Sequence, residues 1–250
     1  MEYAAGFIIA VIISLTGVGA GTITAPLLIL GLGVPPGIAV GTALAYSAVV
    51  RLIVVPIQIM RRQVNYRVLG FMLAGGLPGV VIGSLLFRRI AHGRDWSALY
   101  WVLGSIIIFS SGWHIYRHFR PPGRAGELKQ RLPWIAAIML PIGAEVGFSS
   151  SGAGALGTVA LLSLTSLPAS QVVGTDLTFG LGVSLVGGGI HALGGLYNLS
   201  LLAKMTAGGL VGAIVGSTIA PGVPNRALRL ALSTCLLLIG FVFCYRAAGF

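Results

Sequence analysis

Charge is scarce in this chain. Of its 250 residues only 8% are Asp, Glu, Lys or Arg, whereas a soluble domain carries about 25%. Water alone would not solvate such a surface, so an ordinary soluble domain is excluded. Between Glu2 and Arg51 there is no charged residue at all, a stretch long enough for roughly two membrane passes at about 20 apolar residues each. Cysteine is nearly absent: Cys235 and Cys244 both fall in the last apolar run and offer neither a disulfide framework nor a metal pattern. No Walker-type nucleotide loop is present, and no cofactor is expected. The N-terminus lacks the basic start and small-residue cleavage site of a signal peptide, and its apolar run continues far past a signal core, so it is expected to be retained.

What the chain has in quantity is apolar residues, at 56%, and glycine, at 38 residues. Glycine at about twice the usual frequency fits membrane helices, whose backbones pack closely through small residues. The net charge of +11 sits in short clusters between apolar runs, at Arg61, Arg62 and Arg67, at Arg88, Arg89 and Arg94, and from Arg117 to Arg131. That distribution matches cytoplasmic loops under the positive-inside rule. It does not match a nucleic-acid surface, since no aromatic-basic face or basic domain accompanies it. The chain therefore reads as an all-α polytopic membrane protein, multi-pass in a bacterial-type inner membrane, in contact with lipid and not with nucleic acid.

The apolar runs are Tyr3–Leu32, Gly37–Met60, Val68–Phe87 and Trp96–Tyr116, then Leu132–Leu164, Ala169–Leu193, Leu199–Ala220 and Ala227–Tyr245. Between the two sets lies a polar linker with Pro121, Pro122, Gly123 and Gly126, the kind of composition that breaks helices. This divides the chain into a first transmembrane repeat at 1–116, a basic linker at 117–131 and a second repeat at 132–250. Sliding the sequence by 133 positions gives a gapless match from about Thr16 to Ser84. Gly19 meets Gly152, Gly21 meets Gly154, Pro35 meets Pro168 and Val40-Gly41-Thr42 meets Val173-Gly174-Thr175. Further along, Asn65 meets Asn198, and Gly75, Gly79 and Gly83 meet Gly208, Gly212 and Gly216.

Loop charge favours inverted halves. Arg61 and Arg62 follow the second run, while the matching loop at Gly194–Ser200 carries no charge, as expected if the two loops lie on opposite sides. Inversion needs an odd number of crossings per half. The first run of each half, at about 30 residues, is long enough to fold back as a re-entrant hairpin. Arg88, Arg89 and Arg94 would then lie outside, against the positive-inside trend.

Each of these long runs is broken by a flexible stretch, Thr16-Gly17-Val18-Gly19-Ala20-Gly21 in the first and Ser149-Ser150-Ser151-Gly152-Ala153-Gly154 in the second. Matching helix interruptions in two halves point to a transporter site. A half-helix starting there aims free N–H groups and the positive end of its dipole into the protein. Hydroxyls of Thr16, Thr22, Ser149, Ser150, Ser151 and Thr158 can add donors, although the glycines alone would also serve close helix crossing. Thr42 and Thr175 occupy equivalent helix starts. Asp176 and Arg51 lie inside apolar runs, where ionisable residues default to functional candidates. Asp176 can carry a coupling proton, hold an Arg or act as a plain cap. Arg51 can neutralise an anion or snorkel to an interface. Glu145 precedes the second break and is a second coupling or counter-charge candidate. His191, near a helix end, reads as interfacial. The glycine stripes at 75–83 and 208–216 read as packing faces, joining the halves or a homodimer.

An intramembrane serine hydrolase is disfavoured because Ser149-Ser150-Ser151-Gly152 departs from the Gly-x-Ser-Gly pattern of that class, and because its chemistry needs no second break. An anion channel is a closer alternative, since helix breaks also build filters.

Gly17-Val18-Gly19-Ala20-Gly21, Pro26-Leu27-Leu28, Pro35 and Ala39-x-Gly41-Thr42, their echo after residue 149, and Gly75-Gly76-Leu77-Pro78-Gly79 together resemble the sulfite exporter TauE/SafE family. The resemblance covers nearly the whole chain. It implies secondary transport of a small sulfur-containing anion such as sulfite, thiosulfate, sulfoacetate or a related organosulfonate. The expected anion contacts are Thr16, Gly17, Gly19, Gly21, Thr22, Thr42, Arg51, Ser149, Ser150, Ser151, Gly152, Gly154 and Thr175.

Overall fold

The computed structural model describes residues 2–16, 20–92, 96–119, 132–151, 156–219 and 225–248. Among them there are ten α-helices and no strand. They are α1 (Glu2–Thr16), α2 (Ala20–Gly31), α3 (Pro36–Met60), α4 (Tyr66–His92) and α5 (Trp96–Phe119), followed by α6 (Leu132–Ser149), α7 (Leu156–Leu164), α8 (Ala169–Leu193), α9 (Leu199–Ile219) and α10 (Asn225–Ala247). The chain is an all-helical membrane protein. Five helices, α3, α4, α6, α8 and α9, are long and apolar enough to cross a bilayer by length and composition. The two long first runs are each split in two. Their second arms, α2 with 12 residues and α7 with 9, rise only about 18 and 14 Å at 1.5 Å per residue, too short for a core of about 30 Å.

Proline and glycine set many of the ends. Pro36 opens α3 where its missing N–H costs nothing. Gly195, with φ of +70°, turns the chain beyond α8. Helix ends recur at the same spacing of 133: Thr16 with Ser149, Gly31 with Leu164, Pro36–Met60 with Ala169–Leu193, and Tyr66 with Leu199.

Packing is exchanged between the two sets of helices. The closest partner of α4 is α6, and α9, which starts 133 positions after α4, packs on α1. Glycine makes both crossings tight. Added Cβ atoms at Gly75, Gly79 and Gly83 would strike the carbonyls of Ala136, Leu140 and Ala144, and at Gly208 and Gly212 those of Tyr3 and Phe7. The stripes expected from sequence thus pack the two sets against each other. At the centre α3 crosses α8: Leu44 and Ala45 face Gly187 and Gly188, while Arg51 faces Gly180 and Ser184. The neighbours retreat along α8 as α3 advances, so this pair is antiparallel. Helices α5 and α10 also run antiparallel, with Ser97 bonded to Ala247, Tyr100 against Phe243 and Gly104 against Gly240.

Polarity is reversed relative to a soluble fold. Large apolar side chains such as Leu52, Phe109, Ile214 and Phe241 are exposed, whereas Arg51, Asp176, His191 and the three serines after Phe148 are buried. Lipid would cover the first group. The second needs a reason to be inside.

Candidate functional site

The second break can be built from its sequence. Ser149 turns its hydroxyl back on α6, donating to the Glu145 carbonyl at 2.9 Å and accepting the Ser151 N–H at 3.2 Å. That local bond competes with helix continuation. Ser150 still bonds the Val146 carbonyl through its N–H at 2.8 Å, but its φ is +62°. Glycine usually fills such a left-handed helix end, and another residue there costs on the order of 1–3 kcal/mol. Ser150 is 4% exposed and its Oγ has no hydrogen-bond partner. A strained, buried, unsatisfied hydroxyl calls for an explanation beyond packing.

The first break meets it there. At the start of α2, a Cβ on Gly21 would fall on the Ser150 carbonyl oxygen and close to its Oγ. Only glycine lets the two interruptions touch. Behind the junction the Gly147 carbonyl accepts two hydrogen bonds, from Ser84 Oγ at 3.3 Å and from His191 Nε2 at 2.9 Å. A carbonyl cannot donate, so Nε2 carries the proton and Nδ1 faces inward without a partner. Phe87 stands edge-on to both Phe148 and His191, with centroids 5.3 and 5.0 Å apart. His191, which the sequence reads as interfacial, is thus fully buried. Its place one turn from the helix end is offset by the packing of α8 against α6 and α4.

Arg51 lies at the α3–α8 crossing and is 3% exposed. Its Nη1 donates to Ser47 Oγ at 2.9 Å, to the Gly180 carbonyl at 2.9 Å and to Ser184 Oγ at 2.7 Å. The guanidinium is held inside rather than snorkelling. Asp176, one turn before Gly180 on α8, is 2% exposed and within electrostatic range of Arg51. Its Oδ2 accepts from Thr158 Oγ1 at 2.8 Å. Glu145, one turn before the second break, is hydrogen-bonded by Ser110, while its Oε1 has no partner.

Thr42 and Thr175 are fully buried and already engaged. Thr175 Oγ1 accepts the Asn65 N–H at 2.9 Å and Thr42 Oγ1 the Asn198 N–H at 3.1 Å. These bonds tie each long central helix to the start of a helix from the other set. Both hydroxyls therefore have a structural task at equivalent places.

The structure brings Gly21, Ser149, Ser150 and Ser151 together, and sets Arg51 and Asp176 on the adjoining crossing. Gly17, Gly19, Gly152 and Gly154, and the side chains of Thr16 and Thr22, lie outside the described residues. Ser47 and Ser184 are not picked out from sequence, and His191 reads there as interfacial rather than as facing inward. The repeat held a signal for the two serines: Ser184 is the 133-position counterpart of Arg51, and Gly180 that of Ser47. Among the described residues no group of three or more His, Cys, Asp or Glu is placed to hold a metal.

Comparison with known proteins gives a consistent result. A family model described as sulfite exporter TauE/SafE matches residues 3–243. A curated protein named "Probable membrane transporter protein YjnA", from Bacillus subtilis (strain 168), is 28% identical over 243 residues, covering 94% of this chain and 95% of the relative. No solved structure matches the chain significantly.

Proposed function

The chain belongs to the sulfite exporter TauE/SafE family and is a membrane transporter rather than an enzyme, and from that premise we propose that it carries a small sulfur-containing anion by secondary transport. Sulfite, thiosulfate, sulfoacetate or a related organosulfonate fits the family description. The observation that carries this reading is the junction of the two helix breaks. There the unpartnered Ser150 hydroxyl, held in a strained conformation, lies against the start of α2. Helix starts and buried hydroxyls are the groups that hold an oxyanion away from water. Arg51 supplies the buried positive charge that offsets it, and Asp176 or Glu145 is the coupling group.

The two halves are inverted copies in this reading. Three facts support it: helix ends spaced by 133, exchanged partners in α4–α6 and α9–α1, and antiparallel pairing of α3 with α8 and of α5 with α10. Helices that are equivalent yet antiparallel are related by a two-fold axis across them. With the helices spanning a bilayer, that axis lies in the membrane plane, the arrangement of inverted-repeat transporters. The membrane concerned is the inner membrane of a bacterial-type cell.

Flux in proteoliposomes tests this function, with sulfite, thiosulfate, sulfoacetate and chloride compared on the wild type and a Ser150→Leu variant. Saturable flux of one sulfur anion, abolished by leucine, is the expected result. Chloride leak at channel-like rates, indifferent to the substitution, would sink the carrier reading.

A further inference from the structure

The carboxylate of Asp176 stands where an anion should stand. It faces the first turn of α7 (Leu156–Leu164), the short helix that follows the second break. Thr158 Oγ1 donates to Oδ2 at 2.8 Å, and a Cβ added to Gly157 would fall on Oδ1. The first turn of a helix presents N–H groups without intrahelical partners and the positive end of the dipole, so a carboxylate there is favoured. Yet Asp176 fits the place poorly. The residue is 2% exposed, and Oδ1 has no hydrogen-bond partner. A residue meant only to cap α7 would be expected to satisfy both oxygens, because a buried orphan acceptor is costly. Among charged groups on the helices packed against α8, Arg51 on α3 is the one that acts on it appreciably.

We infer that Asp176 is a tethered stand-in for the transported anion: its carboxylate occupies the α7 N-terminal turn in the empty protein, and the entering anion displaces it. The inference rests on the anion-transport reading above and deepens it. A sulfur oxyanion has three oxygens to offer donors at this turn, against the single engaged oxygen of the carboxylate. Arg51, within range on α3, holds the carboxylate once it leaves α7. After the anion departs, the carboxylate returns and closes the turn to rebinding. Asp176 is then a positioning residue that sets affinity against release.

Two measurements on the full chain in nanodiscs and proteoliposomes test this. The first compares thiosulfate and sulfate binding, and thiosulfate flux, in the wild type and Asp176→Asn. Asparagine keeps the size of the side chain and an acceptor for Thr158 but removes the charge. Without its competitor the anion is expected to bind at least tenfold tighter, with KM lowered and kcat lowered as well because release slows. Unchanged affinity with reduced thermal stability would mean a structural cap and would overturn the inference. The second records the infrared difference between anion-bound and anion-free wild type. A shift in a carboxylate stretch that is absent in Asp176→Asn supports displacement. Binding that leaves every carboxylate band unmoved overturns it, without needing the variant to fold. The binding and infrared arms read out even where no sulfur anion is transported, so the failure of the transport reading is seen separately, in flux alone.

Discussion

Replacing Arg51 with methionine separates what this residue contributes to folding from what it contributes to transport. In the wild type, the two N–H bonds of Nη1 serve three neutral acceptors at 2.7–2.9 Å, one proton being shared. Bonds to a charged group contribute roughly 1.5–3 kcal/mol each, so two protons' worth is a gross gain of about 3–6 kcal/mol. Against it stands the cost of a buried ion, several kcal/mol after relaxation. The net is small, and exchange of the hydrogen-bonded ion for an apolar chain would be nearly neutral on its own. Ser47 and Ser184 keep a partner in each other, since Ser184 Oγ already donates to Ser47 Oγ at 3.4 Å. Asp176, however, loses the cation within its electrostatic range, and losing a full ion-pair partner costs about 3–5 kcal/mol, the upper bound for this pair. Arg51→Met should therefore destabilise by up to that amount, while Arg51→Met/Asp176→Asn should return to within about 2 kcal/mol of wild type, the residue of the small net term. Both variants should lose thiosulfate flux by about a hundredfold or more, the equivalent of a lost charge contact of about 3 kcal/mol. Unfolding in mixed micelles and flux in proteoliposomes read the two quantities. A double variant no more stable than Arg51→Met, or one that transports normally, would refute the reasoning.

Ser150→Gly removes left-handed strain on the order of 1–3 kcal/mol and should raise the thermal midpoint while also raising KM, because the hydroxyl is lost. Gly21→Ala should abolish flux, its methyl group being driven into the Ser150 carbonyl. Gly112→Ala on α5, with open space at its Cβ position, should keep full flux and gain up to about 1 kcal/mol of stability from helix propensity. Thr42→Val and Thr175→Val each orphan one backbone N–H and should each cost about 1–3 kcal/mol. Similar losses of thermal stability with unchanged KM would fit their structural bonds, and a KM effect confined to one would mark that threonine as an anion contact.

Much of the fold was legible because breakers and apolar length act locally. The runs Gly37–Met60 and Leu199–Ala220 nearly coincide with α3 and α9, and the expected interruptions fall where α1 and α6 end, at Thr16 and Ser149. The glycine stripes were legible for the same reason, since spacing alone puts them on one face. What escaped depends on distant partners. Nothing local tells that Thr42 receives the N–H of Asn198, or that His191 turns inward to the Gly147 carbonyl. The candidate site was half visible: the break supplied Ser149–Ser151, but its contact with Gly21 exists only once α2 packs against α6.

The exchanged packing of α1 and α9 has a consequence for biosynthesis. The glycines that receive α1, Gly208 and Gly212, are made roughly 200 residues after it, which at 5–20 residues per second is a delay of about 10–40 s. During that time α1 sits in the insertion machinery or in lipid without its partner. The counterpart pair suffers less, because α6 follows α4 directly once α5 and the linker are made. The ribosome thus delivers one crossing early and the other late, and the N-terminal helix is locked only when α9 arrives. Truncation before Gly208 would leave a chain that inserts but keeps its N-terminal helix exposed to quality-control proteolysis.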